Sequence, residues 1–221
     1  PMQLEIKTYK KHESNEFNPY SCNSGTSMAI KGKNFIIIAS DMRHTSEYTI
    51  NSRNTSKIFE IKDYFLATTG FYADSYEVSV KLNYNVKVYE MLSNKEMNIA
   101  QLAHLNFNTL YNKRFFPHYS YCIICGFDKE SKKPMVYAYD PVGSYDSVNV
   151  KCNGTSASII QPILDTYDDK IDQMSEEDVM KVIKSLFESA SERDVRTGDL
   201  LELIVIKEDG YKRYYHELRK D

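Results

Sequence analysis

The sequence predicts an α+β fold built on antiparallel sheets. Three observations carry this. The elements come in segregated runs: strands, two helices, strands, two helices, strands. Neighbouring strands are joined by tight polar turns. No internal repeat, low-complexity tract or linker divides the 221 residues. Segregated runs of this kind do not build the parallel sheet that strict strand–helix alternation produces. We therefore expect a single domain over residues 25–221, preceded by an N-terminal extension over residues 1–24.

Taken in order, the first 20 or so residues are polar and aperiodic, with Lys10-Lys11-His12-Glu13-Ser14-Asn15 in their middle. Residues 26–31 and 35–41 read as strands around the turn Gly32-Lys33-Asn34. Residues 57–61 and 64–69 read as a second hairpin, turned at Lys62-Asp63. Helices are expected over residues 73–93 and 99–114. The second opens on Asn98 with Gln101 three residues on, a reciprocal capping pair, and carries an apolar face of Ile99, Leu102, Leu105, Phe107 and Leu110. Strands return at 119–127 and 135–139. A helical stretch over 157–167 follows, then a helix capped by Ser175 with Val179, Val182, Ile183, Leu186 and Phe187 inward. Strands at 200–207 and 211–218 close the chain around Glu208-Asp209-Gly210.

Composition narrows the function. Lys and Arg number 28 against 31 Asp and Glu, a net charge of -3, so there is no basic footprint for nucleic acid and no acidic tail. The longest apolar run, Phe35-Ile36-Ile37-Ile38-Ala39, is far short of the roughly 20 residues of a membrane helix. With no secretory signal and only four cysteines, the reading is a reducing compartment, cytoplasm or nucleus. Cys122 and Cys125 form a C-x-x-C, but on a predicted strand residues three apart face opposite ways, so the thiols do not converge. No phosphate loop, HExxH or GxSxG occurs, and no cofactor or metal is expected. Of five scattered histidines only His44 lies near a candidate site. The oddity is aromatic: 18 Tyr and 10 Phe with no Trp.

The chemistry-bearing residues form a spaced series. Ser24-Gly25-Thr26-Ser27-Met28-Ala29 opens one strand and Ala39-Ser40-Asp41-Met42-Arg43 ends the next. Thr55-Ser56-Lys57-Ile58, Gly154-Thr155-Ser156 and Arg193-Asp194-Val195-Arg196-Thr197-Gly198-Asp199 follow. The series resembles the β subunits of the 20S proteasome, members of the N-terminal nucleophile hydrolase family, over nearly the whole chain from about residue 17. The resemblance implies a four-layer αββα sandwich, two antiparallel sheets between layers of helices. In active members a Thr freed at the N-terminus is the nucleophile and its own amine the base. An Asp lies sixteen residues after that Thr and a Lys sixteen further on.

Here Asp41 and Lys57 are sixteen apart, and counting back sixteen from Asp41 lands on Gly25. Glycine has no hydroxyl or thiol to form a covalent intermediate. The alternative, an active threonine endopeptidase using Thr26, places the acid fifteen and the lysine thirty-one residues away, and a one-residue slip in a strand turns a side chain to the opposite face. Ser27 has the right parity but lies roughly 6.6 Å further along. Where active members typically carry Ser, this chain has Thr155 and Thr197, with Asp194 kept. Asp41, Lys57 and Asp194, with Thr155 and Thr197, are then expected to form a buried network retained for structure, with no catalytic residue.

Further segments resemble the inactive member at the sixth position of the β ring: Phe17-Asn18-Pro19-Tyr20, Arg114-Phe115-Phe116-Pro117, the run from Tyr139 through Asp140 to Tyr145, Gln161-Pro162-Ile163-Leu164-Asp165, Ala190-Ser191-Glu192 and Leu218-Arg219-Lys220-Asp221. That resemblance implies β neighbours in the same ring, an α-ring subunit and the opposite β ring as partners, with neither nucleic acid nor membrane. It also implies a share in the substrate pocket of the adjacent active subunit. Asp140 is the candidate for that wall, set against its plainer role as a turn-starting Asp before Pro141.

Overall fold

The computed structural model describes residues 18–23, 25–46 and 49–220. Most of the expected N-terminal extension, residues 1–17 and 24, lies outside the described residues. The architecture is a sandwich of two five-stranded antiparallel sheets with helices on both outer faces. The first sheet has the order β10-β1-β2-β11-β12, from β1 (Thr26–Lys31), β2 (Ile36–Asp41), β10 (Val150–Gly154), β11 (Leu200–Lys207) and β12 (Gly210–Glu217). The second has the order β5-β6-β7-β8-β9, from β5 (Ile58–Ile61), β6 (Tyr64–Gly70), β7 (Ser120–Phe127), β8 (Pro134–Tyr139) and β9 (Tyr145–Ser147). A small pair, β3 (His44–Ser46) and β4 (Thr49–Ser52), stands apart.

Strand parity builds the layers. Along β2, Ile37 and Ala39 face α3 (Ala157–Asp165) and α4 (Glu176–Ser191), whereas Ile36 and Ile38 face the other sheet. Along β7, Cys122 and Ile124 face α1 (Tyr72–Ser93) and α2 (Ile99–Tyr111), whereas Ile123 and Cys125 point between the sheets. The two cysteines thus enter different cores, as their spacing requires. Burial pushes the Cys122 thiol up to about 11 and the Cys125 thiol higher still, so both are inert apolar side chains.

The helices start where side chains can satisfy their free amides. Asn98 caps Ile99 N while Gln101 Oε1 accepts from Asn98 N at 2.8 Å. Ser175 Oγ accepts from Asp178 N at 3.2 Å. α2 and α3 end earlier than expected, whereas α1 ends at Ser93 as expected. After Tyr111 and Asp165 the chain tightens into i→i+3 bonds, Arg114 N to Tyr111 O and Thr166 N to Ile163 O. The short strands β3, β4, β9 and β10 are absent from the sequence reading. All three residues of β9 are on the exposed side, so it has no alternating burial pattern to detect.

Residues 18–23 pack onto the domain. The Tyr20 hydroxyl donates to Pro117 O at 2.7 Å and its ring stacks on Phe116. Ile123→Ala, in the layer between the sheets, is expected to cost about 2 to 5 kcal/mol in urea denaturation, whereas Leu92→Ala, on the exposed end of α1, should stay within about 0.5 kcal/mol of the parent.

Candidate functional site

The site lies where β1 leaves its first residue, at one end of the first sheet. Gly25 has φ +120°, a backbone conformation open to glycine. A Cβ there would collide with Asp41 Oδ1 and stand 2.6 Å from Lys57 Nζ. The ion pair therefore fills the space in which a side chain at position 25 would stand. Lys57 Nζ donates to Asp41 O at 2.6 Å and lies 3.2 Å from Asp41 Oδ1. Asp41 also accepts from Thr26 N at 2.7 Å and Arg43 N at 3.2 Å. Both side chains are buried. Burial pushes the Asp41 carboxyl up and the Lys57 ammonium down, and each partner's charge opposes the other's shift.

A second cluster stands on the other face of β1. Thr26 shares the parity of Met28 and Ile30, which face the α3 and α4 layer. Its Oγ1 lies 2.8 Å from Thr197 Oγ1 and accepts from Ser156 N at 3.1 Å. Asp194 Oδ2 accepts from Thr155, from Ser156 Oγ at 2.7 Å and from Thr197 Oγ1 at 2.8 Å, and its Oδ1 accepts from Arg196 N at 3.0 Å. Burial raises the Asp194 carboxyl, but these four donors outweigh it and hold it below the usual range. Gly25 joins the clusters: its side-chain position faces Lys57 while its carbonyl accepts from Thr155 N at 3.1 Å. Ser27 Oγ, the third hydroxyl considered, has no hydrogen-bond partner among the described residues.

A family model described as Proteasome subunit matches residues 22–206. The chain belongs to the proteasome β-subunit family. It is 45% identical to a probable proteasome subunit beta type-6 of Encephalitozoon cuniculi, over 96% of this chain and 74% of that protein. It is 38% identical to the proteasome subunit beta type-1 of Arabidopsis thaliana, over 93% and 97%. To the proteasome subunit beta type-6 of Saccharomyces cerevisiae it is 35% identical, over 93% and 92%. The sandwich of two antiparallel sheets between helices is consistent with that family. Such subunits assemble into a multi-subunit core particle, and the family includes threonine peptidases.

In this proteasome β subunit several site residues carry no role in the sequence reading. Ser156, quoted in the motif Gly154-Thr155-Ser156, supplies both an amide to Thr26 and a hydroxyl to Asp194. Arg43 is buried, donates through Nε to Asp199 at 2.8 Å, and reaches Val195 O and Arg219 O. Arg53 joins the same carboxylate. Asn23 N donates to Gly70 O at 3.0 Å and Asn23 Nδ2 to Thr45 O at 3.1 Å, holding the segment before Gly25 against β3 and β6. An Arg beside an Asp in separate motifs was the available signal for the Arg43–Asp199 pair; nothing in the sequence marks Asn23.

His44 packs edge-on against Tyr72, and burial followed by the nearby Lys57 charge lowers its pKa. Asp140 lines a cleft of about 410 Å³ with Tyr139, Tyr145 and Lys151. Its Oδ1 also accepts from the amides of Val142, Gly143 and Ser144, so it builds its own turn.

Two outcomes follow from the charges. Lys57→Met strands the buried Asp41 and should cost about 3 to 5 kcal/mol, while Lys57→Met with Asp41→Asn should recover at least about 1 kcal/mol of it in a urea double-mutant cycle. Because Asp194 is held below the ordinary value of about 3.9, its stabilisation is complete above that pH and is lost as pH falls through the folded value. Asp194→Asn should therefore lower stability at pH 6 and flatten the acid limb of the stability–pH curve below pH 4.

Proposed function

We propose that this chain is a non-catalytic, structural β subunit of the 20S core particle, of the beta type-1 kind at the sixth position of the ring. The observation that carries the proposal is Gly25. It occupies the nucleophile's place in the spacing to Asp41 and Lys57, offers no reacting atom, and the ion pair fills the space beside its Cα. The cavity beside Lys57, lined also by His44, Tyr72 and Ser75, is about 10 Å³, room for at most one water and none for a substrate side chain. In this reading Asp41, Lys57 and the Asp194 cluster hold β1 in place and perform no chemistry.

The subunit acts through its neighbours. It supports ring assembly and walls part of the substrate pocket of the adjacent active subunit, with Asp140 in that wall, in ubiquitin-dependent protein degradation in the cytoplasm and nucleus. Its partners are other β subunits of its ring, an α-ring subunit and the opposite β ring. Large exposed side chains support an assembled state: Phe115 is 89% exposed, Met91 and Leu92 84%, and Tyr84 67%.

A second reading, an active threonine endopeptidase with Thr26 as N-terminal nucleophile, draws on one contact, the 2.7 Å bond from Thr26 N to Asp41 Oδ1. Against it, the Thr26 hydroxyl is engaged by Thr197 and Ser156 on the face away from Lys57. The readings separate when core particles are treated with a threonine-directed electrophile and each subunit is weighed intact. The proposal expects adducts on other β subunits and none on this chain; an adduct on a chain beginning at Thr26 would contradict it.

A further inference from the structure

A cleft of about 520 Å³ opens beside Gly154 and Thr155, between the ends of β6, β7 and β10 and the start of α3. Its lining contains no Asp or Glu and one cation, Lys151, which makes no ion pair among the described residues. Two of its lining side chains hold buried polar atoms with no hydrogen-bond partner among the described residues, Thr69 Oγ1 and Asn153 Nδ2, in residues that are 3% and 6% exposed. Buried donors of this kind are rare because each forfeits its hydration without return. The terminal torsion of an asparagine is soft, so Asn153 can turn its amide toward an incoming acceptor without leaving its rotamer. Tyr119 and Tyr121, in edge contact with centroids 6.0 Å apart, form an aromatic wall beside these groups.

An ammonium, an amide N–H and a hydroxyl together form a set that donates, and the complementary ligand is an anion with several acceptor positions. The acids of the adjoining cleft do not satisfy it. Asp140 Oδ1 is turned to the amides of its own loop, and Asp146 Oδ1 accepts from Ser147 N at 2.7 Å.

We propose that this cleft is a peptide subsite that takes a carboxylate, with Lys151 as counter-charge, Asn153 and Thr69 as hydrogen-bond donors, and Tyr119 and Tyr121 against the adjoining apolar side chain. It rests on reading the chain as part of a proteolytic particle, where each cut peptide bond leaves a new terminal carboxylate. The same chemistry is offered by Asp and Glu side chains.

The test uses isolated core particles with their active sites blocked beforehand by a threonine-directed electrophile. Three photo-leucine probes are compared: N-acetyl-Gly-Gly-photo-leucine with a free carboxylate, its C-terminal amide, and N-acetyl-Glu-photo-leucine amide. After illumination, labelling is mapped on the peptides of this chain that contain Tyr119 and Tyr121. The free acid is expected to label them about fivefold more than the amide, with Lys151→Met removing that preference and Lys151→Arg keeping it. Equal labelling by the glutamate probe identifies any carboxylate as the ligand, and labelling by the terminal acid alone identifies product ends; either supports the subsite. Equal labelling by acid and amide in the unaltered particle overturns it, as does a preference that survives Lys151→Met. The acid–amide comparison needs no variant to assemble, and it is independent of whether this chain itself carries an electrophile adduct.

Discussion

The contact on which the site depends is the approach of the Lys57–Asp41 ion pair to a residue without a side chain. Lys57 Nζ sits where a Cβ on Gly25 would come within 2.6 Å of it, and Gly25 holds φ +120° to let β1 enter the sheet. A buried ion pair is a poor source of stability on its own, because the desolvation of two charges offsets their attraction. Its role here is to fix position. Asp41 reaches the amides of Thr26 and Arg43, so one carboxylate sets the start of β1 and the exit of β2 together.

The opposite face of β1 is set by a separate carboxylate. Asp194 collects three hydroxyls and one amide, and through Thr197 and Ser156 it fixes the Thr26 side chain toward the helix layer. The result is two polar clusters with the backbone of residues 25 and 26 between them. Position 25, whose side chain would meet Asp41 and Lys57, is a glycine and offers no hydroxyl or thiol there. Thr26 cannot cross from one cluster to the other without a register shift of the whole strand, which would turn Met28 and Ile30 out of their core as well. Close packing around the alternation therefore holds Thr26 on the face away from Lys57.

Much of this was legible in the sequence because it depends on parity and spacing. Long strands with apolar residues on both faces, such as β2 and β11, and capped helices such as α2 and α4 announce themselves through period and caps. The sixteen-residue interval between Asp41 and Lys57 is readable only beside the family resemblance, yet it brings the two into contact at 3.2 Å. The missed elements are ones whose partners are distant. β10 is five residues with a polar alternate face, held as an edge strand by pairing with β1 over a hundred residues away. Asn23 and Ser156 were missed for the same reason, since the partners that give them roles, Thr45 and Gly70 for Asn23 and Thr26 and Asp194 for Ser156, lie far along the chain.

The most direct measurement is the stability of Gly25→Ala, a change that adds one methyl and no chemistry. An alanine at φ +120° is strained, and its Cβ collides with Asp41 and Lys57, so the variant should lose at least about 2 kcal/mol in urea denaturation. Combining it with Lys57→Met should give back part of that loss, because the methyl then meets no ammonium. A Gly25→Ala chain as stable as the parent would contradict the account, since it would mean that the ion pair leaves room at position 25 for the side chain an active site requires.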